Sequence, residues 1–340
     1  MNDSEFSLPN FRNIALQDGV ISREEFEKAY MYYFVDEPDN RSLKELMDYL
    51  DYDNKGGIDY ITWSRLLGPR DLTRLTSNCR EVGPLANAAP TDEELELIET
   101  MFQRAHSIAK EAVKCGTRVL IDAEQARFQP AIDNLVLDLQ QTYNAVDVTD
   151  HPIIFNTYQC YRKNELEEIK ADVERSERYN YHFGAKLVRG AYMESERAMA
   201  KLLGYPSPIN DTIEDTHKCY NGAVDFLLRH ETYKNLQVML ATHNQESIER
   251  AMKLMDELGI DKHAEKVYFA QLMGMSDNLT FNLGKAGYRA YKYVPYGKVK
   301  EVVPYLLRRA QENSAVLGSS KRELEMLNEE LYRRFKPSFV

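Results

Sequence analysis

The sequence predicts an α/β protein: a parallel sheet with helices on both faces, preceded by a small helical module. Three observations carry this. From Thr91 onward, short apolar runs alternate with amphipathic helical segments, the pattern of strands buried on both faces. Polar residues collect at the C-terminal ends of those runs: Asp122 and Glu124, Gln159, Lys186 and Arg189, Thr242 with His243 and Asn244, then Tyr293. That is where a (β/α)8 barrel keeps its chemistry. No G-x-G-x-x-G follows any run, which weakens a Rossmann reading. Six runs are too few for the commonest closed barrel and suit an open doubly wound sheet, so the pattern alone leaves both arrangements open.

Composition bounds the rest. The chain has 340 residues, 43% hydrophobic and 29% charged, enough for one large core plus an extra module. A formal net charge of -11 argues against a nucleic-acid partner. No apolar run approaches the ~18 residues of a spanning helix. The opening MNDSEFSLPN is acidic and has the pattern of neither a signal peptide nor an Arg-rich transit peptide. Cys79, Cys115, Cys160 and Cys219 lie far apart with no C-x-x-C, which predicts reduced thiols and no zinc or other metal site.

Residues 1–70 read as the helical module. DYDNKGGIDYIT, Asp51–Thr62, resembles an EF-hand loop, with Asp51, Asp53, Gly56, Ile58 and Asp59 at positions one, three, six, eight and nine. Lys55 stands at position five and Thr62 at position twelve, where calcium wants oxygen ligands and a bidentate carboxylate. A partial second copy lies upstream at Asp18–Glu25, with Ile14 and Leu16 in the first two ligand places. The expectation is a degenerate EF-hand-like pair, kept for packing and binding no calcium. Residues 71–340 then form the α/β domain with its C-terminal helices.

Thr91 with Glu94 makes a capping box, and Leu95, Ile98, Met101, Phe102, Ala105, Ile108 and Ala112 form the stripe of the helix it opens. Strands follow at Thr117–Glu124, Pro152–Gln159, Phe183–Tyr192, Asn235–Asn244, Lys266–Gly274 and Tyr288–Gly297. Helices are expected over Pro130–Tyr143, Glu165–Arg178, Glu194–Leu203, Ile213–Arg229 and Glu246–Leu258. The last unit, Tyr293–Asn313, is a strand end, a turn at Pro295 and Gly297, and a helix with Val299, Val302, Val303, Leu306 and Leu307 on one face. Tyr305, Arg308, Arg309 and Glu312 share another side of it. Two adjacent guanidiniums suit a small carboxylate, since each offers a flat fork of donors. Taken alone, that helix reads as a solvated Arg–Glu surface.

Six motifs in order, LIDAEQARFQP, NTYQCYRK, KLVRGAY, ATHN, QLMGM and YKYVPYG…LLRRAQENS, resemble those of the proline dehydrogenase family, closest to its eukaryotic mitochondrial branch. The likeness covers Thr91 to the C-terminus, and the N-terminal module resembles the helical insertion of that branch. It implies a distorted (β/α)8 barrel holding FAD. It also implies oxidation of L-proline to 1-pyrroline-5-carboxylate, the first step of proline catabolism. Electrons would pass to ubiquinone from a peripheral site on the matrix side of the inner mitochondrial membrane. Carried over residue by residue, Arg308 and Arg309 match the carboxylate-binding pair. Tyr293, Tyr305, Tyr192 and Leu272 match the wall around the proline ring, and Asp122 an aspartate on the substrate side. Gln159, Arg189, Gly190, Ala191, Thr242 and His243 match FAD contacts, and Glu312 a glutamate near the cofactor. Lys186 keeps the charge but loses the fork of the Arg found there in bacterial members; with Asp122 it is the expected catalytic pair.

One departure bears on activity. Family members carry two strands before the one matching Leu120–Glu124, the second with a substrate-pairing lysine in a K-[LM]-[ST]-A-L motif. Nothing in residues 1–91 has it; Leu72–Cys79 comes nearest. The resemblance therefore implies an N-terminally truncated chain, six of eight strands with open edges, that does not turn over proline on its own. Hydroxyproline dehydrogenase is the alternative within the same chemistry. A non-catalytic EF-hand-type binding protein is the alternative from another class.

Overall fold

The computed structural model describes residues 20–27, 44, 47–48, 50–51, 56–59, 90–230, 236–314 and 317–335, without the side chains of residues 308, 310–314 and 317–323. In chain order the elements are β1 (Val20–Ser22), β2 (Gly57–Asp59), α1 (Asp92–Cys115), β3 (Val119–Leu120), α2 (Gln129–Tyr143), β4 (Ile154–Gln159) and α3 (Glu165–Arg178). Then come β5 (Gly184–Val188), α4 (Met193–Leu203), α5 (Ile213–Arg229), β6 (Gln237–Ala241), α6 (Gln245–Glu257), β7 (Val267–Leu272), α7 (Asp277–Lys285), β8 (Arg289–Tyr293), α8 (Val299–Ser314) and α9 (Leu317–Phe335). Contacts divide the chain into two compact units. One holds Met1–Val119, Arg127–Ile154 and Glu167–His182; the other holds Leu120–Ala126, Phe155–Leu166 and Phe183–Val340. The expected boundary at residues 70 and 71 lies outside the described residues.

The sheet is parallel and curled, a half-barrel of six strands in the order β3-β4-β5-β6-β7-β8. Its inner strands are apolar on both faces because helices cover both: every residue of β4 is buried, as are the first five of β7. Phe155, Phe183 and Phe269 are each at most 1% exposed. Full burial of each stabilises by roughly 1.5–3 kcal/mol. The outer strands differ, with β3 only half-buried and Tyr291 and Tyr293 of β8 exposed. Hydrogen-bonded strand is shorter than the apolar runs suggested: β3 is two residues, the segments after β5 and β6 leave the sheet where the polar residues Arg189 and Thr242 begin, and β8 ends before Val294 and Pro295.

Local chemistry sets the helix starts. Thr91 and Glu94 form the expected reciprocal box, with Glu94 N donating to Thr91 Oγ1 at 3.3 Å and Thr91 N to Glu94 Oε2 at 2.8 Å. Thr212 caps α5 and Asn244 caps α6 through the amides of Asp215 and Ser247, at 3.1 and 2.8 Å. Helix α7 was not foreseen. It spans only nine residues, DNLTFNLGK, and follows Ser276, which sits at φ 50° and caps nothing with its side chain. That hydroxyl is used elsewhere, as described below. On α1, Met101 and Ile108 of the expected stripe are exposed, and the buried positions are Ala109 and Ala112. On α8, Val299, Leu306 and Leu307 of the expected apolar face are exposed.

Asn144, which no motif marks, bridges the approaches to β4 and β5. It is fully buried, and its amide makes four bonds: Nδ2 to the carbonyls of Ile154 and His182 at 2.8 and 3.0 Å, and Oδ1 from the amides of Ile153 and Ile154 at 2.9 and 2.8 Å. Two backbone segments that cannot pair with each other there are satisfied through one side chain.

Among the N-terminal residues described, β1 and β2 pair antiparallel with Ile21 opposite Ile58, both buried. Asp53, Lys55, Thr62, Ile14 and Leu16 lie outside the described residues.

Candidate active site

The C-terminal strand ends bring the expected residues together in two clusters, both inside the second unit. The first is built on β3, β5, β7, β8 and α8. Lys186, inward on β5 between Thr157 and Met239, is 9% exposed at its side chain and forms an ion pair with Oδ1 of Asp122. Tyr293, the last residue of β8, donates its hydroxyl to Asp122 Oδ2 at 3.2 Å. The Lys186 ammonium also lies 5.9 Å from the Tyr293 ring centroid, within cation–π reach. Burial, then the Asp122 charge, push the Tyr293 phenol up to about 12, so it stays a donor at neutral pH.

From Tyr293 the cluster continues outward. Its ring lies 6.0 Å from that of Tyr305 on α8, tilted by 31°, and the Arg309 guanidinium stacks on Tyr305 at 5.0 Å. Tyr293, Tyr305, Arg309 and Leu272 line a cavity of about 280 Å³ with Met273 and Met275. Leu272 is the register partner of Tyr293, which sets those two side by side. The loop after β7 is pinned by Lys292, which donates to Met275 O at 2.6 Å and pairs with Asp277 at 2.7 Å.

The second cluster surrounds Arg189, the first residue after β5. Its three nitrogens donate to His217 Nδ1 at 3.1 Å, Thr242 Oγ1 at 2.7 Å and Ser247 Oγ at 2.9 Å, and its plane covers the Tyr220 ring at 4.4 Å. Burial lowers its pKa. Among the described residues no carboxylate pairs with it, so a half-buried positive charge is held by neutral acceptors alone. Such a charge is uncompensated until an anion arrives. Gly190 has φ 129°, and a Cβ there would meet the Tyr161 ring at 2.4 Å, so only glycine carries the backbone through. Gln159 Nε2 donates to Glu124 O at 2.7 Å, and Tyr192 donates its hydroxyl to Glu124 Oε1 at 2.6 Å. His243 pairs with Ser276 Oγ at 3.0 Å, the hydroxyl that α7 lacks for a cap. Burial, then Lys292, hold the His243 ring below its ordinary value and therefore neutral. The donor set suits a phosphorylated, anionic nucleotide: a half-buried guanidinium, a tight glycine turn beside exposed Ala191, and Thr242 just before a helix start.

Of the expected site residues, then, Asp122, Lys186, Tyr293, Tyr305, Arg309 and Leu272 meet in one cluster. Arg189 and Thr242 meet in the other, with Gly190, Ala191 and Tyr192 continuing the chain from Arg189. Arg308 and Glu312 lie on α8, but their side chains are outside the described residues. Sequence reasoning missed His217, Tyr220, Ser247 and Ser276. Each is a lone polar or aromatic residue in a helix or turn, with nothing in the pattern to distinguish it from a surface or core position. Glu124 stood in the strand-end pattern without a role, and the structure gives it one.

Residues 36–322 match the profile of the proline dehydrogenase family. The chain is 38% identical over 333 residues to "Proline dehydrogenase 1, mitochondrial" of Drosophila melanogaster, covering 94% of this chain and 48% of that protein. It is 43% identical over 289 residues to the Homo sapiens protein of the same name, with 83% and 47% coverage. It is 40% identical over 247 residues to Homo sapiens "Hydroxyproline dehydrogenase", with 72% and 53% coverage. The chain thus spans about half the length of the curated relatives it matches. Among solved structures, proline utilization A from Bdellovibrio bacteriovorus, inactivated by N-propargylglycine, matches with a TM-score of 0.57 at 24% identity, over 64% of this chain and 22% of that one. That likeness carries the fold. The ordered strand-end residues and the family match over most of the chain agree, and this chain belongs to the proline dehydrogenase family.

Proposed function

We propose that the site oxidises L-proline to 1-pyrroline-5-carboxylate with FAD as cofactor. The observation that carries this is the continuous run Lys186–Asp122–Tyr293–Tyr305–Arg309, whose last three members line a cavity of about 280 Å³ while the Lys186–Asp122 pair is tied to it through the Tyr293 hydroxyl. It offers a cation for a carboxylate, an aromatic and aliphatic wall for a small ring, and a carboxylate beside the ring nitrogen. Arg309, and Arg308 from the same helix, would hold the substrate carboxylate by charge-assisted bonds. Tyr293, Tyr305 and Leu272 would orient the ring so that the carbon beside nitrogen meets its acceptor, which is catalysis by positioning. Asp122, fixed by Lys186 and the Tyr293 hydroxyl, can accept the proton of the substrate's ring amine. Bound FAD would supply the two-electron acceptor. Arg189, Gly190, Ala191, Thr242, Gln159 and His243 would hold it, with Glu312 nearby. The names of the relatives support a mitochondrial location; ubiquinone as final acceptor and a peripheral place on the matrix side of the inner membrane belong to the same reading.

Proline is favoured over 4-hydroxyproline because Tyr293 presents a ring face where a 4-hydroxyl would lose its water partners. The test is an absorption spectrum of the protein after incubation with FAD and gel filtration. A retained flavin band, shifted by a non-oxidisable five-membered-ring carboxylate, is the expected result. Protein that retains no flavin would overturn the reading and favour a non-catalytic binding role.

A further inference from the structure

The Arg189 cluster rests on the flavin reading and extends it. Of the partners of that guanidinium, Thr242 and Ser247 are hydroxyls, whereas His217 can change charge. Its Nδ1 accepts the Arg189 Nε–H at 3.1 Å, which requires the neutral ring with its proton on Nε2. A second proton would set N–H against N–H and place one cation against another. The two hydroxyls hold only the terminal nitrogens, so His217 alone fixes Nε, and each hydroxyl is shared with another partner. Thr242 Oγ1 also takes the Asn244 amide at 3.1 Å, and Ser247 Oγ donates to Asn221 at 2.8 Å.

We propose that His217 is a positioning residue whose neutral ring fixes Arg189 toward an anionic group of the flavin nucleotide, and whose protonation releases that hold. The charged groups facing His217 are Arg189, Glu214 on its own helix, and Glu246 at the start of α6. Burial, then Arg189, lower its pKa, while the two glutamates oppose them. The lowered value means that affinity is complete at neutral pH and is lost as pH falls below the ordinary histidine value of about 6.5.

The experiment is equilibrium FAD binding, read by fluorescence quenching from about pH 5 to about pH 8, for wild type, His217→Asn and His217→Leu, with melting temperatures of each. Asparagine keeps an acceptor near the Nδ1 position and does not titrate. Wild-type Kd is expected to rise about tenfold toward the acid end, roughly 1.4 kcal/mol. His217→Asn should keep the neutral-pH affinity with a flat profile, and His217→Leu should bind weakly at every pH. Parallel profiles for wild type and His217→Asn would overturn the proposal, as would wild-type affinity in a folded His217→Leu. If leucine destabilises the fold, the wild-type and asparagine profiles still decide. Wild-type protein that binds no FAD at any pH would instead sink the flavin reading itself.

Discussion

Replacing Arg309 by methionine removes a guanidinium from a stack while keeping most of the stem that lies on the Tyr305 ring. The structure separates two costs. The stack at 5.0 Å contributes on the order of 0.5–1 kcal/mol at a partly exposed site, felt in the fold. The pairing with a substrate carboxylate, formed only when ligand enters the cavity, contributes about 2–5 kcal/mol once desolvated. That second figure corresponds to a loss of affinity of roughly 30-fold to several thousand-fold. The assay titrates FAD-loaded protein with a non-oxidisable five-membered-ring carboxylate and follows the flavin band. Arg309→Met should shift the midpoint by at least ~30-fold while the melting temperature moves by only ~1 °C. Arg309→Lys should fall between, since it keeps the charge and loses the fork. An unchanged midpoint in Arg309→Met would show that the arginine is a surface stack and that the carboxylate is held elsewhere. Arg308→Met should weaken binding in the same assay and retain FAD.

In a longer chain that supplies the two upstream strands, Tyr293→Ser should narrow the preference for proline over 4-hydroxyproline, which is expected to be worth about 1–3 kcal/mol without the substitution; comparable kcat/KM for both substrates before substitution would remove the basis for this. Because Tyr293 titrates only near 12, no ionisation of this phenol should appear in a pH–rate profile between about pH 8 and about pH 10, and a Tyr293→Phe variant that abolishes a transition there would contradict it. Asn144→Ala should cost roughly 2–5 kcal/mol in urea unfolding, since four buried bonds lose one partner; a midpoint within error of wild type would mean that the segments pair in another way. Calcium should leave the melting temperature unchanged. Asp51 Oδ2 accepts Arg23 Nη2 at 2.7 Å and the Gly56 amide at 3.1 Å, and Asp59 accepts Arg178 at 2.7 Å, so arginines face the carboxylates at positions one and nine. Micromolar calcium that raises the melting temperature would overturn this.

The parallel sheet was legible because burial on both faces forces long apolar runs, and β4 to β7 obey that rule. The capping box at Thr91 was legible because its spacing is local. Helix α7 was not, since its nine residues, with Asn, Thr and Gly among them, carry too short an apolar stripe to read, although Ser276 and Asp277 are start-type residues. The strand-end residues Asp122, Lys186 and Tyr293 could be ordered along the chain, but their meeting depends on three strands 64 and 171 residues apart in pairing distance. Of the neutral partners of Arg189, Thr242 was marked at its strand end, but His217 and Ser247 were invisible for a related reason: they come from two helices, and no local pattern links them to Arg189. The exposed apolar residues of α8 show the converse limit, since a helical stripe reports that a face can be buried and not what lies against it.

The central claim is that this strand-end cluster passes two electrons from a proline ring to a bound flavin. The direct measurement is a single-turnover experiment without oxygen: FAD-loaded protein, in a longer chain that supplies the two upstream strands, is mixed with L-proline, and the visible flavin band is followed, with no added acceptor. The account predicts that L-proline bleaches the band, that 4-hydroxyproline does so less readily, and that Arg309→Met requires much more proline for the same effect. A flavin that is retained, bleached by dithionite and left oxidised by saturating L-proline would contradict it.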